Sequence, residues 1–469
     1  MTFDTAHRRQ QAAVLSIILV SYVMIILDAS IVFTGLPRIR ADLAFPSTQL
    51  AWVQSIYTLT FGGFLLFGAR AGDLLGRRRT YQAGLAIFTV ASVMVAMSHG
   101  PLFMIAARGL QGLGAAILAP SSLALLSIHF PEGPERRRAT SLYGAVAGIG
   151  SSVGLVLGGL LADLASWRVG FIINLPISIV LSIAATRCIG ESERHAGAFD
   201  VLGAVLSTLG FGLLIWGIVE GGELGWGQPQ AWGGMLAGCL GVLAFVLHEA
   251  RAPQPIMPLR LFAHRERLGA YLCRFLFLGA MVSFFFFSTQ FMQLVLGFSS
   301  LQAGLGFLPM TLVNFFVAYY APRLSRHIGD HLQVALGLLL ALGGLYGLSL
   351  AQPGSSYLAA IALPMAVLGM GQGLCFGPMT ASGIAGTCKQ DAGAASGVLN
   401  VAHQLGMSIG LGLMAALAVT AEAGRSDPAS IARGVGVAMH GAAALALGAL
   451  LVALVLLVPA GRATATKSA

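Results

Sequence analysis

Asp28 and Arg108 each stand alone as the one charge in a long apolar stretch of this chain. A carboxylate deep in such a stretch costs about 2.5–3.5 kcal/mol if the stretch crosses a membrane, and chains keep one mainly for an ion path, a proton relay or a counter-ion. Arg108 lies well inside its own stretch, where a guanidinium needs a carboxylate or a water-filled cavity, and Asp28 is the natural partner. Attraction to Arg108 favours the charged carboxylate while loss of water favours the neutral one. That competition suits reversible proton transfer; a static ion pair is the other reading. His403, in NVAHQLGMSIG (400–410), is a candidate second proton site because imidazole titrates near neutral pH. Against it stands a neutral ring hydrogen-bonded to a neighbouring helix. Gln54, Gln111 and Asn400 are uncharged polar residues placed to line a cavity.

The elements that must position these groups are membrane spans. Of the 469 residues 57% are hydrophobic and only 10% charged, where a soluble domain carries about 25% charged. Fourteen apolar segments are long enough to cross a bilayer core of about 30 Å. With the N-terminus inside, 20 of the 27 Lys and Arg residues fall on the cytoplasmic side and five opposite, as the positive-inside rule requires. Both termini are therefore expected in the cytoplasm, and the net charge of +9 serves topology rather than nucleic-acid binding. Arg274, near the start of its span, is expected to snorkel to the surface, and Trp167, Trp226 and Trp232 to form an interfacial belt. Phe284–Phe287 point all round a helix and are expected mostly against lipid or neighbouring helices.

Several function classes have no residues to support them. The only lysines, Lys389 and Lys467, end no GxxxxGK[ST] phosphate loop. The five cysteines make no CxxC pair and no metal spacing, and no catalytic constellation appears. Neither an enzyme nor a bound metal or cofactor is expected, and transport energy must come from an ion gradient or a partner.

Six stretches add a resemblance. In GARAGDLLGRRRT (68–80), Gly72, Asp73, Gly76, Arg77 and Arg78 resemble the glycine–acid–glycine–arginine signature that the major facilitator superfamily carries between helices 2 and 3. Arg108, Gln111 and Gly112 match its R-x-x-Q-G motif in helix 4. In GIGSSVGLVLGG (148–159), Gly150, Gly154, Gly158 and Gly159 resemble its helix 5 antiporter motif, with Leu155 where proline is usual. LDASIVFTGLP (27–37), WRVGFIINLP (167–176) and FMQLVLGFSSLQAGLGFLP (291–309) are similar to the fourteen-helix drug:proton antiporters of that family.

The resemblance implies an all-α integral membrane protein of fourteen transmembrane helices, two six-helix pseudo-repeats plus two inserted helices. The halves are expected at 1–195 and 266–469, with the insertion at 196–265. QGLGAAILAP (111–120) echoed by QGLCFGP (372–378), and faintly the 2–3 loop by RLSRHIG (323–329), fit that repeat. It implies proton-coupled export of amphipathic drugs from the bacterial cytoplasm by a monomer. Asp28, Arg108 and His403 would couple protons, Asp73 with Arg77 and Arg78 would form a charge lock, and the helix 5 glycines would allow close packing. With Asp28 the only deep acid, the cargo is expected to be monocationic or neutral. Export of a single metabolite or antibiotic is the near alternative; proton symport and a transporter-like sensor are more distant.

Overall fold

The computed structural model describes residues 2–46, 49–130, 134–191, 200–253, 255–387, 392–425 and 427–459, and among them there are helices and no strands. The first group of rods is α1 (Thr2–Asp42), α2 (Trp52–Leu75), α3 (Arg77–Ala96), α4 (Pro101–His129), α5 (Pro134–Leu164) and the broken rod α6 (Trp167–Ile172) and α7 (Asn174–Cys188). A hairpin follows, α8 (Val201–Leu224) and α9 (Pro229–Glu249). The last group is α10 (Arg265–Gln290), α11 (Ser300–Leu305), α12 (Leu308–Ile328), α13 (Asp330–Ser349), α14 (Leu363–Gly383), α15 (Ala392–Glu422) and α16 (Pro428–Val452). Turns of π-helix at Phe291–Val295, Leu358–Ala362 and Ala453–Leu457 prolong α10, lead into α14 and prolong α16.

Twelve helices among the described residues are long and apolar enough to cross a membrane, against the fourteen that the sequence predicts. The two others are α3 and α5. Each is long enough at about 1.5 Å per residue; α3 opens on Arg77–Arg79, and within α5 the apolar stretch among the described residues is Gly150–Leu164.

Packing within the first group recurs in the last. α1 packs on α5, α2 and α3 on α4, and α1 and α3 on α7. In the same way α10 packs on α15, α12 and α13 on α14, and α10 and α13 on α16. The turns echo each other too: Gly76 before α3 has φ +98° and Gly329 before α13 has φ +80°, a region glycine enters without the cost a Cβ brings. Two seams join the groups, α2 against α15 and α5 against α11 and α12. α8 lies beside α2 and α15, and α9 packs chiefly on α8.

The four phenylalanines of α10 pack against neighbouring helices, as one of the two expectations had it, rather than meeting lipid. Phe284, Phe286 and Phe287 are buried, and Phe285 stacks on Phe33 of α1 with ring centroids 5.6 Å apart. Trp167 is also no belt residue. It is buried, and its Nε1 donates to Asp42 Oδ2 at 2.8 Å. At the start of α16, Asp427 accepts from Ser430 Oγ at 2.8 Å and from the N–H groups of Ser430 and Ala429, each at 3.1 Å. The Ser430 hydroxyl first, and these backbone donors with it, hold the Asp427 carboxyl below the usual carboxylate range.

Candidate functional site

Five helices converge on Asp28, whose side chain is fully buried in α1. Arg108 of α4, fully buried as well, donates from Nη1 to Asp28 Oδ2 at 2.7 Å and to Gln111 Oε1 at 2.6 Å. Gln111 Nε2 donates to Asp28 Oδ1 at 2.7 Å and to Ser92 Oγ of α3 at 2.7 Å. Asn174, the first residue of α7, donates to the same Oδ1 at 2.9 Å. The rest of the guanidinium turns to α2, with Nε on Val53 O at 3.0 Å and Nη2 toward Gln54 Oε1 at 3.4 Å. Tyr57 completes the shell, its ring centroid 4.3 Å from Arg108 Cζ.

This arrangement can hold a charge pair out of water because each carboxylate oxygen has charged or amide donors. It leaves loose ends nonetheless: Gln54 Nε2, Asn174 Oδ1 and the Tyr57 hydroxyl are buried without partners. A proton arriving on Asp28 would cancel the charge that Arg108, Gln111 and Asn174 are arranged around, so protonation must rearrange the cluster. With Asp28 sealed from solvent, such a proton also needs a different conformation to enter. Sequence reasoning paired Asp28 with Arg108 and set Gln111 in the arginine's motif, but offered Gln54 and Gln111 as cavity-lining residues; both are buried in this cluster. It missed Ser92, Tyr57 and Asn174, although Asn174 stands inside the motif 167–176.

His403 and Asn400 are not part of the cluster. Asn400 is exposed, and its Nδ2 donates to Ser396 O in its own helix at 3.0 Å. The His403 ring meets Phe376 of α14 nearly edge-on, with centroids 6.1 Å apart. It has no hydrogen bond to a described residue, so the tethered-imidazole reading fails.

At the α2–α3 turn, the side chain of Asp73 lies outside the described residues. Gly72 is close to the Arg77 stem, and an added Cβ there would be 3.7 Å from Arg77 Cγ. Glu191, just after α7, is the acid among the described residues that meets this turn. It accepts from the Arg78 N–H at 3.2 Å and lies 3.8 Å from Arg78 Nε and 3.6 Å from Arg79 Nε.

The helix 5 glycines set the distance between α5 and its neighbours. A Cβ at Gly154 would stand 2.7 Å from Ser30 Cβ, and one at Gly158 2.7 Å from Ile31 Cα, so both lie against α1. One at Gly150 would face Ile26 at 3.3 Å, while Gly159 turns to the backbone of Ser300 in α11. Asp163, one turn on, accepts from the N–H groups of Leu301 at 2.8 Å and Ser300 at 3.2 Å, and from Arg38 Nη2 at 2.6 Å. Gly158→Val is expected to force α1 and α5 apart, destabilising the protein by about 1–3 kcal/mol through overpacking. A lowered thermal midpoint of the purified protein checks it; an unchanged midpoint would mean α5 can yield at no cost.

The model of the Major Facilitator Superfamily matches residues 18–411. The chain is 39% identical to the cephamycin export protein CmcT of Amycolatopsis lactamdurans, over 91% of this chain and 88% of that one. It is 34% identical to the puromycin resistance protein pur8 of Streptomyces alboniger, over 94% and 90%. Its fold is like that of a bacterial homologue of the human lysosomal transporter Spinster, solved in an inward-facing and unoccupied conformation. The TM-score is 0.68 at 14% identity, covering 96% of this chain and 98% of that one.

Proposed function

The chain belongs to the major facilitator superfamily, and on that premise we propose that it exports an amphipathic small molecule in exchange for protons. The family makes it a membrane-embedded transporter of small molecules and not an enzyme. The observation that carries the proton is the sealed Asp28–Arg108 pair, 2.7 Å apart with neither side chain exposed. A carboxylate so enclosed ties its protonation to the conformation that opens it, and a proton and a cargo that favour different conformations exchange without a separate gate.

In this reading the membrane is the bacterial cytoplasmic membrane, both termini are cytoplasmic, and a monomer suffices. α3 and α5 also cross, making fourteen spans. Residues 1–195 and 266–469 are the moving halves, and 196–265 the insertion beside one seam. The Asp163–α11 contacts then close the outer end. Asp73, Arg77 and Arg78 govern the inner end together with Glu191, and the glycines facing α1 let α5 stay close as the halves rock. The expected monocationic cargo drew on Asp28 as its counter-ion. With Arg108, Gln111 and Asn174 already holding both oxygens, Asp28 is left to the proton. A dedicated exporter of one compound is supported by relatives that are named for single antibiotics.

Inverted vesicles carrying the protein test the reading. An imposed proton gradient is expected to drive uptake of a fluorescent amphiphile, and an ionophore that collapses the gradient should stop it. Uptake indifferent to the collapse would overturn proton coupling.

A further inference from the structure

Arg274 of α10 is another buried arginine, and no described acid pairs with it. It is 5% exposed; its Nε and Nη1 are buried without hydrogen-bond partners, and it forms no ion pair with a described residue. The expectation that it snorkels to the surface is therefore wrong. Its guanidinium instead lies over Phe376, with Cζ 3.6 Å from the ring centroid. Cation–π contact of this kind is worth about 2 kcal/mol when desolvated, against a cost of several kcal/mol for an ion taken out of water. The deficit calls for an anion.

Among the described residues the surrounding helices supply none. α14 and α16 contain no Asp or Glu, and α15 has Glu422 only at its far end. Glu266, at the start of α10, faces His331 Nε2 at 3.3 Å. Asp28 already belongs to Arg108.

Arg274 also stands where the two groups of helices face each other. Phe285, eleven residues on, stacks against Phe33 of α1, and Arg274 lies within electrostatic range of Tyr22, eleven residues before Phe33, and of His403. Tyr22 stacks on Tyr143 of α5 with centroids 3.8 Å apart and planes within 9°. Phe376, His403, Tyr22 and Tyr143 are all only partly buried. One wall thus offers an unpaired cation with an imidazole, and the other a pair of aromatic rings.

We propose that Arg274 is the binding group for an organic anion, so that the exported molecule is an amphiphile bearing a carboxylate or similar acid, with its apolar body between Phe376 and the Tyr22–Tyr143 pair. This rests on the export reading above and names its cargo class. It reverses the expectation of a cationic or neutral cargo.

Dansylglycine and its neutral methyl ester share a fluorophore and differ in the charge and one methyl group. Both are titrated against the full-length protein in phosphatidylcholine nanodiscs. The wild type is expected to prefer the acid by about tenfold or more, the worth of a charged hydrogen bond. Arg274→Gln should lose that preference while still binding the ester, and Arg274→Lys should keep part of it. Equal binding of acid and ester by the wild type, or a preference that survives Arg274→Gln, would overturn the proposal. So would chloride or sulfate raising the wild-type thermal midpoint as much as dansylglycine does, because the site would then take any bare anion. Should Arg274→Gln fail to fold, the wild-type preference and the salt comparison still decide. Failure of the export reading looks different: the charge preference would stand while the proton gradient drove uptake of neither probe.

Discussion

Asp28→Asn is expected to reduce cargo-driven proton movement to the level of empty vesicles while leaving folded protein in the membrane. Asparagine keeps the size of aspartate and one acceptor oxygen, so Arg108 Nη1 can still find a partner at the position of Oδ2, 2.7 Å away in the wild type. The other atom becomes an NH₂ group facing two donors, Gln111 Nε2 and Asn174 Nδ2, which now reach Oδ1 at 2.7 and 2.9 Å. Asn174 is the amide that can turn, because its Oδ1 is buried without a partner, whereas Gln111 Oε1 already accepts from Arg108 Nη1. The packing cost is therefore modest. The functional cost is complete, since no proton can be carried at this position and the groups around it no longer see a charge that comes and goes. Cargo binding at Arg274, eleven residues before the Phe33–Phe285 contact, should persist. The measurement is internal pH in proteoliposomes on addition of cargo, beside cargo binding by the same preparation. Unchanged proton movement would remove Asp28 from coupling and leave the buried pair a structural one.

What could be read in the sequence followed from cost. A lone acid and a lone arginine in apolar stretches are each so unfavourable in lipid that their partnership could be inferred across 80 residues, and Gln111 came with the arginine's motif. Ser92 and Asn174 cost little wherever they stand on a helix, so nothing marked them as the donors that complete the Asp28 shell. Glu191 was invisible for a different reason. It is one of several charges in a polar connection, and only the fold brings it to Arg78 and Arg79. Arg274 was misread because depth was counted from the edge of the apolar run. α10 begins at Arg265, which sets Arg274 about 13 Å into the helix at 1.5 Å per residue, with Phe376 there to receive its guanidinium. The count of spans fell short at α3 for the opposite reason, because Arg77–Arg79 at its start are needed for topology and shorten the apolar run.

Arg108→Met should be the most damaging single substitution in this cluster. Methionine fills the volume beside the Tyr57 and Phe171 rings, whose centroids are 4.3 and 5.8 Å from Arg108 Cζ, but donates nothing. Asp28 would keep only Gln111 and Asn174 on one oxygen, with no opposite charge in a fully buried site. Breaking one side of such a pair typically costs about 3–5 kcal/mol. The carboxylate's escape is to hold a proton permanently, which also ends exchange. Loss of transport therefore accompanies loss of stability, and neither alone identifies the cause. The double substitution Asp28→Asn with Arg108→Met separates them. With no charge left to strand, much of the stability should return, since replacing a buried pair by apolar or neutral groups is often nearly neutral, while proton movement stays absent. The non-additive part, read from the thermal midpoints of wild type, both single variants and the double, is the coupling between the two residues. Stability losses that simply add would mean that Arg108 is held by Val53 and Gln54 rather than by Asp28. The pair would then be two neighbours and not one unit, and the proton would have no lever on the helices that Arg108 joins.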